Sequence, residues 1–361
     1  MKKSIVFFLS CYALFACTDS VDLSAVNKEI ANYNGMNIGG NGLGPVGQYT
    51  WTRLPYQYLG EFEYYEDNFP FVVDGSAYCL AGYGQYLPFK LNNRTKRWES
   101  FESDCDFSSL SDRYLFSYGS KIYYAYDELI NGQLVDYIGA FDMNTKIEQE
   151  KASFPMAFPH GYISFVIGNK GYLMGGGTYS YVPTFHEVPP SNQIWEYDFV
   201  LDRWTNKGNM PGGARAFGQG FVVGNKVYFG LGYDFLNMNG QNIKRYKKDW
   251  YSFDPASGTY GAILADFPGT LELWPTGFSL NEKIYIGYEG CYDDDGGCGT
   301  LWEYNIPSGK WSKKSVPQYS QATSFNPQTN FFSLGNAGYM VIGSIDEFWR
   351  YSTSSLVPTN P

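Results

Sequence analysis

The chain has 361 residues, 26 basic and 36 acidic, giving a net charge of −10 and a pI near 4.8. That balance argues against a polyanion partner such as nucleic acid, which wants clustered Lys and Arg. Hydrophobic residues at 44% exclude disorder, while 33 Tyr, 27 Phe, 9 Trp and 41 Gly suit strands and tight turns better than helices. The expected architecture is one large all-β domain.

Lys2 and Lys3 open the chain as a positive n-region, and Ser4 to Ala16 form a short apolar run that ends in Leu14-Phe15-Ala16-Cys17. The run is too short to span a bilayer, so it reads as a removed signal. Its end resembles the lipobox of bacterial lipoproteins, although Phe15 is bulkier than the small residue usual there. The resemblance implies a signal peptide over 1–16 and lipidation of Cys17, which becomes the first mature residue. Cys11 is a competing site with a much shorter apolar run, and an ordinary secretory signal is the other reading. The lipoprotein reading places the chain in a Gram-negative envelope, held to the membrane through its lipid alone. Removal of Lys2 and Lys3 makes the mature chain still more acidic. Residues 17–48 include the glycine-rich stretch NGMNIGGNGLGPVG without a sustained period, and read as a flexible tether.

From there a motif recurs about every 50 residues: a strand, a two-residue polar turn and a second strand carrying a Tyr. The copies are FVVDGSAYCLAG (71–82), FSYGSKIYYAY (116–126), FVIGNKGYLMGGG (165–177), FVVGNKVYFGLG (221–232), FSLNEKIYIGYEG (278–290) and FSLGNAGYMVIG (332–343). A second motif lies between them, as in WEYDFVLDRW (195–204), WYSFDPASGTY (250–260) and WEYNIPSGKW (302–311), with weaker copies at 89–98 and 141–148. Two hairpins per repeat make a four-stranded sheet. Such a sheet cannot bury both faces alone, so the pattern predicts a propeller of six blades. The glycine-rich end of the second strand, followed by a Tyr and a Trp about seven residues apart (Tyr197 and Trp204; Tyr304 and Trp311), resembles kelch repeats. The resemblance covers 49–352 and implies a six-bladed kelch-type β-propeller over 49–355, with a C-terminal tail at 356–361. The sixth copy stops at FWRYS (348–352), and YTWTRLP (49–55) resembles a fourth strand, so the N-terminal strand is expected to complete the last blade.

The first-to-second-strand links are short: Asp74-Gly75, Tyr118-Gly119, Gly168-Asn169, Gly224-Asn225, Asn281-Glu282 and Gly335-Asn336. The second-to-third links are long, at roughly 127–137, 178–193, 233–248 and 288–300, and share a face with the links leading into each first strand. Function concentrates on long loops held by a rigid scaffold. The candidate ligand-binding residues of that face are His160, Tyr162, Arg215, Tyr233, Asp234, Glu272, Trp274, Tyr288, Glu289 and Gln321, with Asp127 and Tyr179 beside them. Aromatic faces with neighbouring polar forks suit sugars or peptides, though most of the many tyrosines simply pad the blades.

Only two histidines occur, His160 and His186, and no Cys/His cluster has zinc spacing. The copper-radical galactose oxidases share the kelch propeller but need a site rich in His and Tyr. There is no nucleotide-binding glycine fingerprint and no nucleophile elbow, so no cofactor or metal is expected. His160 reads as a loop or channel histidine, or else as a general base. Asp293-Asp294-Asp295 matches no calcium loop and reads as a solvated tip. Cys291 and Cys298 flank it and are the favoured disulfide, with Cys79 and Cys105 remaining; Cys79 also reads as an inert core thiol. Three functions compete. The first is a lipid-anchored, monomeric binding module for a glycan or an envelope protein. The second is an isomerase, since the chain is similar in blade number, size and compartment to N-acetylneuraminate mutarotase-type epimerases; the Arg and carboxylates that family uses in its funnel would correspond to Arg215, Glu272 and Glu289. The third is a structural component of an envelope assembly.

Overall fold

The structure, a computed structural model, describes residues 49–54, 67–83, 85–101, 114–131, 133–177, 179–180, 186–187, 189–238, 241–269, 276–287, 300–314, 316–317, 329–342 and 347–352. Every regular element among them is a β-strand. After β1 (Thr50–Arg53), blade 1 comprises β2 (Asp67–Val73), β3 (Ser76–Tyr83), β4 (Gln85–Leu91) and β5 (Trp98–Ser100). Blade 2 is β6 (Tyr114–Tyr118), β7 (Lys121–Ile130), β8 (Gln133–Asp142) and β9 (Glu148–Lys151). Blade 3 is β10 (Ile163–Ile167), β11 (Lys170–Met174), β14 (Gln193–Asp198) and β15 (Arg203–Asn209), interrupted by a small pair, β12 (Tyr179–Ser180) and β13 (His186–Glu187). Blade 4 is β16 (Gln219–Val223), β17 (Lys226–Gly230), β20 (Trp250–Asp254) and β21 (Thr259–Tyr260), interrupted by β18 (Tyr233–Met238) and β19 (Gln241–Tyr246). Blade 5 is β22 (Thr276–Leu280), β23 (Lys283–Gly287), β24 (Leu301–Asn305) and β25 (Lys310–Lys314), and blade 6 is β26 (Thr329–Leu334), β27 (Ala337–Ile342) and β28 (Glu347–Ser352), with β1 outside β28.

The first strands neighbour one another in the order β2, β6, β10, β16, β22, β26 and back to β2, so the sheets close a ring. The protein is a six-bladed β-propeller. Both faces of each blade are apolar, and each packs on the next blade. Phe116, Tyr123, Leu173 and Tyr197 fill the gap between blades 2 and 3, for example, and Leu54, Trp98, Tyr339 and Phe348 fill the gap between blades 6 and 1. Strand β1 is antiparallel to β28, Thr50 opposite Ser352 and Arg53 opposite Trp349. Trp51 lies 4.9 Å from the Tyr351 ring, on the blade 5 side, while Leu54 is buried on the blade 1 side.

The repeat has a physical meaning at each of its fixed positions. The first-strand Phe stands directly opposite the second-strand Tyr and stacks on it: Phe165 on Tyr172 at 5.0 Å, Phe278 on Tyr285 at 4.7 Å, Phe332 on Tyr339 at 5.1 Å. The third-to-fourth-strand turn likewise returns Trp204 opposite Tyr197 and Trp311 opposite Tyr304, both pairs at 4.9 Å, and Tyr260 opposite Phe253. An Asn or Asp stands at the end of four third strands and directly after a fifth, and caps the turn with its side-chain oxygen. Asn92 accepts from Arg94 N–H, Asp142 from Asn144, Asp198 from Val200, Asp254 from Ala256 and Asn305 from Ser308, at 2.9–3.0 Å.

Blades are also tied near the axis. Ser117 Oγ donates to the Val72 carbonyl, Ser279 to Val222 and Ser333 to Ser279, each acceptor occupying the same repeat position one blade earlier. In the second blade the first turn is Gly119-Ser120, one residue later than the sequence suggested, because Tyr118 still pairs with Lys121. Cys79 is a buried free thiol whose ionisation burial pushes up.

Candidate functional site

Antiparallel pairing puts the second-to-third-strand links on one face, with the links into each first strand. Two of the stretches expected as loops are instead strand. Strands β7 and β8 pair continuously from Lys121 with Asp142 to Ile130 with Gln133, and β18 with β19 from Tyr233 with Tyr246 to Met238 with Gln241. These ribbons continue because main-chain pairing satisfies backbone groups that a raised loop would leave to water. Beyond the blades they expose large apolar side chains: Ile130 and Val135 on the first, Leu236, Met238, Ile243 and Tyr246 on the second.

Close backbone crossings hold the base of the rim. His160 and Gly177 exchange both main-chain hydrogen bonds, and Gly176 N–H donates to the Arg215 carbonyl at 2.9 Å. Gly176 has φ +82, and a Cβ there would lie 2.9 Å from the His160 oxygen. Blade 4 repeats the arrangement: Ala216 and Tyr233 exchange both bonds, and a Cβ on Gly232 (φ +78) would lie 2.3 Å from the Ala216 oxygen. His160 thus corresponds to Ala216, and its main chain is part of the scaffold.

Five of the ten candidate residues fall in described positions. Arg215 has a fully buried side chain. Its Nη1 donates to the Leu231 carbonyl at 3.1 Å and to Asp249 Oδ1 at 3.0 Å, and its Nη2 to Asp249 Oδ2 at 2.8 Å. It fastens the link into β16 to the ends of β17 and β20. Tyr162 donates its hydroxyl to the Tyr114 carbonyl at 2.7 Å, tying blade 3 to blade 2. Asp234 is nearly buried and takes Arg245 Nε at 2.8 Å, Arg245 Nη2 at 2.6 Å and Lys247 Nζ at 3.0 Å. Burial pushes its carboxyl up, but the hydrogen bonds and charges of Arg245 and Lys247 outweigh that and leave it below its ordinary value. Tyr233 is buried and stacks on Phe217 at 5.7 Å. His160 is half-buried at the base of the same rim. Glu272, Trp274, Tyr288, Glu289 and Gln321 lie outside the described residues, as do Cys17 with the whole of 1–48, Cys105, Cys291, Cys298, Asp293 to Asp295 and the tail 356–361. For Asp127, Tyr179 and His186 the strand placement is described, and their side chains are not.

The structure adds residues the sequence reading passed over: Phe217, Phe235, Lys244, Arg245, Tyr246 and Asp249. For Lys244, Arg245, Tyr246 and Asp249 the signal was the run Lys244-Arg245-Tyr246-Lys247-Lys248-Asp249, a cluster of cations in an acidic chain; Phe217 and Phe235 had none. Lys244 Nζ sits 4.6 Å above the Tyr233 ring. Phe217 has φ +56, an unusual conformation for a bulky residue; its N–H donates to the Gly161 carbonyl at 2.6 Å and its ring covers Gly161.

Inside the ring, a cavity of about 410 Å³ is walled by first-strand residues, among them Phe165, Gln219, Phe221, Thr276, Ser279 and Asn330. Its wall is uncharged throughout the described residues, and no group of three or more His, Cys, Asp or Glu among them is placed to hold a metal ion. No protein-family profile matches the chain, and no curated protein matches it.

Proposed function

We propose that this chain is an exported, lipid-anchored propeller of the kelch type that captures a ligand, a glycan or an envelope protein, on the rim carrying the raised hairpins. The β18–β19 ribbon carries the reading: it stands beyond its blade, is braced at its base by Asp234 with Arg245 and Lys247, and still presents Leu236, Met238, Ile243 and Tyr246 to solvent. A rigid projection with exposed apolar and aromatic side chains fits a recognition surface better than blade padding. The kelch assignment is supported by the opposed Tyr and Trp of blades 3 and 5 and by the glycine junctions at Gly176 and Gly232. The isomerase reading needs Arg215 in the funnel, whereas Arg215 is buried against Asp249, so binding is the better supported role.

The test is capture by the full chain from a glycan array and, separately, from an envelope extract. Specific retention that is lost in the Leu236→Ser/Ile243→Ser variant supports the reading; no retention on either surface overturns it. For the anchor, incorporation of labelled fatty acid should require Cys17, and labelling that persists in Cys17→Ser contradicts it.

A further inference from the structure

We infer that the propeller face opposite the rim lies on an anionic lipid bilayer, with Arg94, Lys96, Arg97 and Arg350 over the lipid phosphates and Val200 and Leu201 at the acyl boundary. The inference rests on the lipid-anchored reading and adds which face the anchor turns to the membrane. Alternation of the strands puts the first-to-second and third-to-fourth turns on this face. In blade 6 the chain itself opens here: β28 ends at Ser352, and Thr50, the first residue of β1, stands opposite it. Residues 1–48, with Cys17, therefore join the propeller at this face.

The turn after β4 carries three cations, Arg94, Lys96 and Arg97, and no acid. It is a fixed platform: Asn92 Oδ1 accepts from the Arg94 and Thr95 N–H groups, and the Asn92 carbonyl accepts from Lys96 N–H at 2.8 Å. Arg94 and Arg97 are exposed, and Lys96 is half-buried. Among the described residues no carboxylate forms an ion pair with any of the three, or with Arg350, whose Nη1 donates to Ser352 Oγ at 2.7 Å. Burial and then the charge of Arg350 lower the Lys96 ammonium, as expected of two neighbouring cations without a counter-ion. In the next blade burial and then Lys90 lower Lys146 in the same way. Of the acids beside this cluster, Glu99 accepts from Asn92 Nδ2 at 2.6 Å, Asp142 caps its own turn, and Asp74 is exposed. Such a cluster in a chain of net charge −10 makes a local surface for anions.

The same face carries apolar side chains at turns of the next two blades. Ile147 is 57% exposed, Val200 70% and Leu201 57%. The blade 3 turn is also held firmly: Asp198 Oδ1 accepts from the Val200 and Leu201 N–H groups, and Phe199 stacks on Tyr118 at 4.2 Å. Fixed apolar tips beside unpaired cations fit the headgroup region of a bilayer, where the cations meet phosphates and the tips leave water. A soluble anion would engage the cations and leave Val200 and Leu201 in water. In this orientation the β18–β19 hairpin points away from the membrane, toward what it captures.

The experiment is co-sedimentation of the full chain carrying Cys17→Ser with vesicles of phosphatidylcholine alone and of equal parts phosphatidylcholine and phosphatidylglycerol. Without its lipid the chain should still bind the mixed vesicles about a hundredfold more tightly than the neutral ones, a difference that added salt erases. Arg94→Gln/Lys96→Gln/Arg97→Gln should remove most of this advantage, about fivefold for each cation, and Arg94→Lys/Arg97→Lys should keep it. Val200→Ser/Leu201→Ser should weaken binding to the mixed vesicles about tenfold. Parent and variants share residues 1–48, and unchanged thermal melts will show that the variants fold, so differences among them report this face. Absence of binding, equal binding to both vesicles, or binding indifferent to the triple variant overturns the inference. Loss in the triple variant with none in the Val200/Leu201 variant overturns it in favour of an acidic polymer. The anchor is judged by fatty-acid labelling at Cys17 and the rim by ligand capture, so each reading can fail alone.

Discussion

Arg215 and Asp249 are joined by two parallel hydrogen bonds, Nη1 to Oδ1 at 3.0 Å and Nη2 to Oδ2 at 2.8 Å, with the guanidinium wholly buried. The pair locks the link into blade 4 beneath the raised hairpin. Removing one member of such a pair leaves the other charge without its partner. Arg215→Ala should cost about 3 kcal/mol, the lower end of the range for buried pairs, because Asp249 is partly exposed. Arg215→Lys, which replaces the fork with a point charge, should recover only part of it. Urea unfolding measures both, and a midpoint unchanged in Arg215→Ala would show that the contact does not support the fold.

Strand β1 pairs with β28, and its side chains enter the cores on both sides of blade 6. Deleting 49–54 should replace the single cooperative calorimetric transition with a broad one at lower temperature, since the last blade loses its outer strand. A sharp, unshifted transition in the truncated chain contradicts the locking role of this strand.

Ser333 donates to the Ser279 carbonyl at 2.7 Å, and the same repeat position is Val in blades 1, 3 and 4. Ser333→Ala should cost about 1 kcal/mol, the scale of one net hydrogen bond. Ser333→Val should cost less, because that side chain already serves at Val72, Val166 and Val222. Equal losses in thermal unfolding for the two variants would refute the exchange.

Asp198 should shape acid stability. The hydrogen bond from Lys170, then those from the Leu201 and Val200 N–H groups, lower its carboxyl from the ordinary 3.8 to about 2. A carboxyl lowered in the folded state stabilises fully above its unfolded value, and that contribution disappears as pH falls through the folded one. Between those values the native blade holds Asp198 ionised while the unfolded chain takes up a proton. Asp198→Asn keeps an oxygen for the turn but not the charge, so its urea midpoint should fall less than the parent's between about pH 6 and about pH 3. Identical falls would mean that Asp198 carries no proton linkage.

Much of the scaffold was legible because spacing dictates contact. The seven-residue interval from Tyr197 to Trp204 is what a capped turn needs to return a residue opposite its partner. The raised hairpin was not read as strand, since Asn-Met-Asn-Gly-Gln-Asn (237–242) is a polar stretch with little apolar alternation; Asn239-Gly240 was the available hairpin signal. Arg215 read as a ligand-facing cation because nothing local announces Asp249, which arrives after a 34-residue excursion. Burial of a charge is decided by tertiary partners, and sequence spacing is blind to them.

The most direct measurement compares ligand capture by two variants of the full chain. One alters the rim (Leu236→Ser, Ile243→Ser, Tyr246→Ala); the other alters the opposite face at the exposed Val200 and Leu201 (both →Ser). Both act on exposed side chains and should leave the melt unchanged. The rim variant should lose at least about tenfold in affinity and the other should match the parent. Undiminished capture by the rim variant, with loss in the Val200/Leu201 variant, would place recognition on the wrong face for this account.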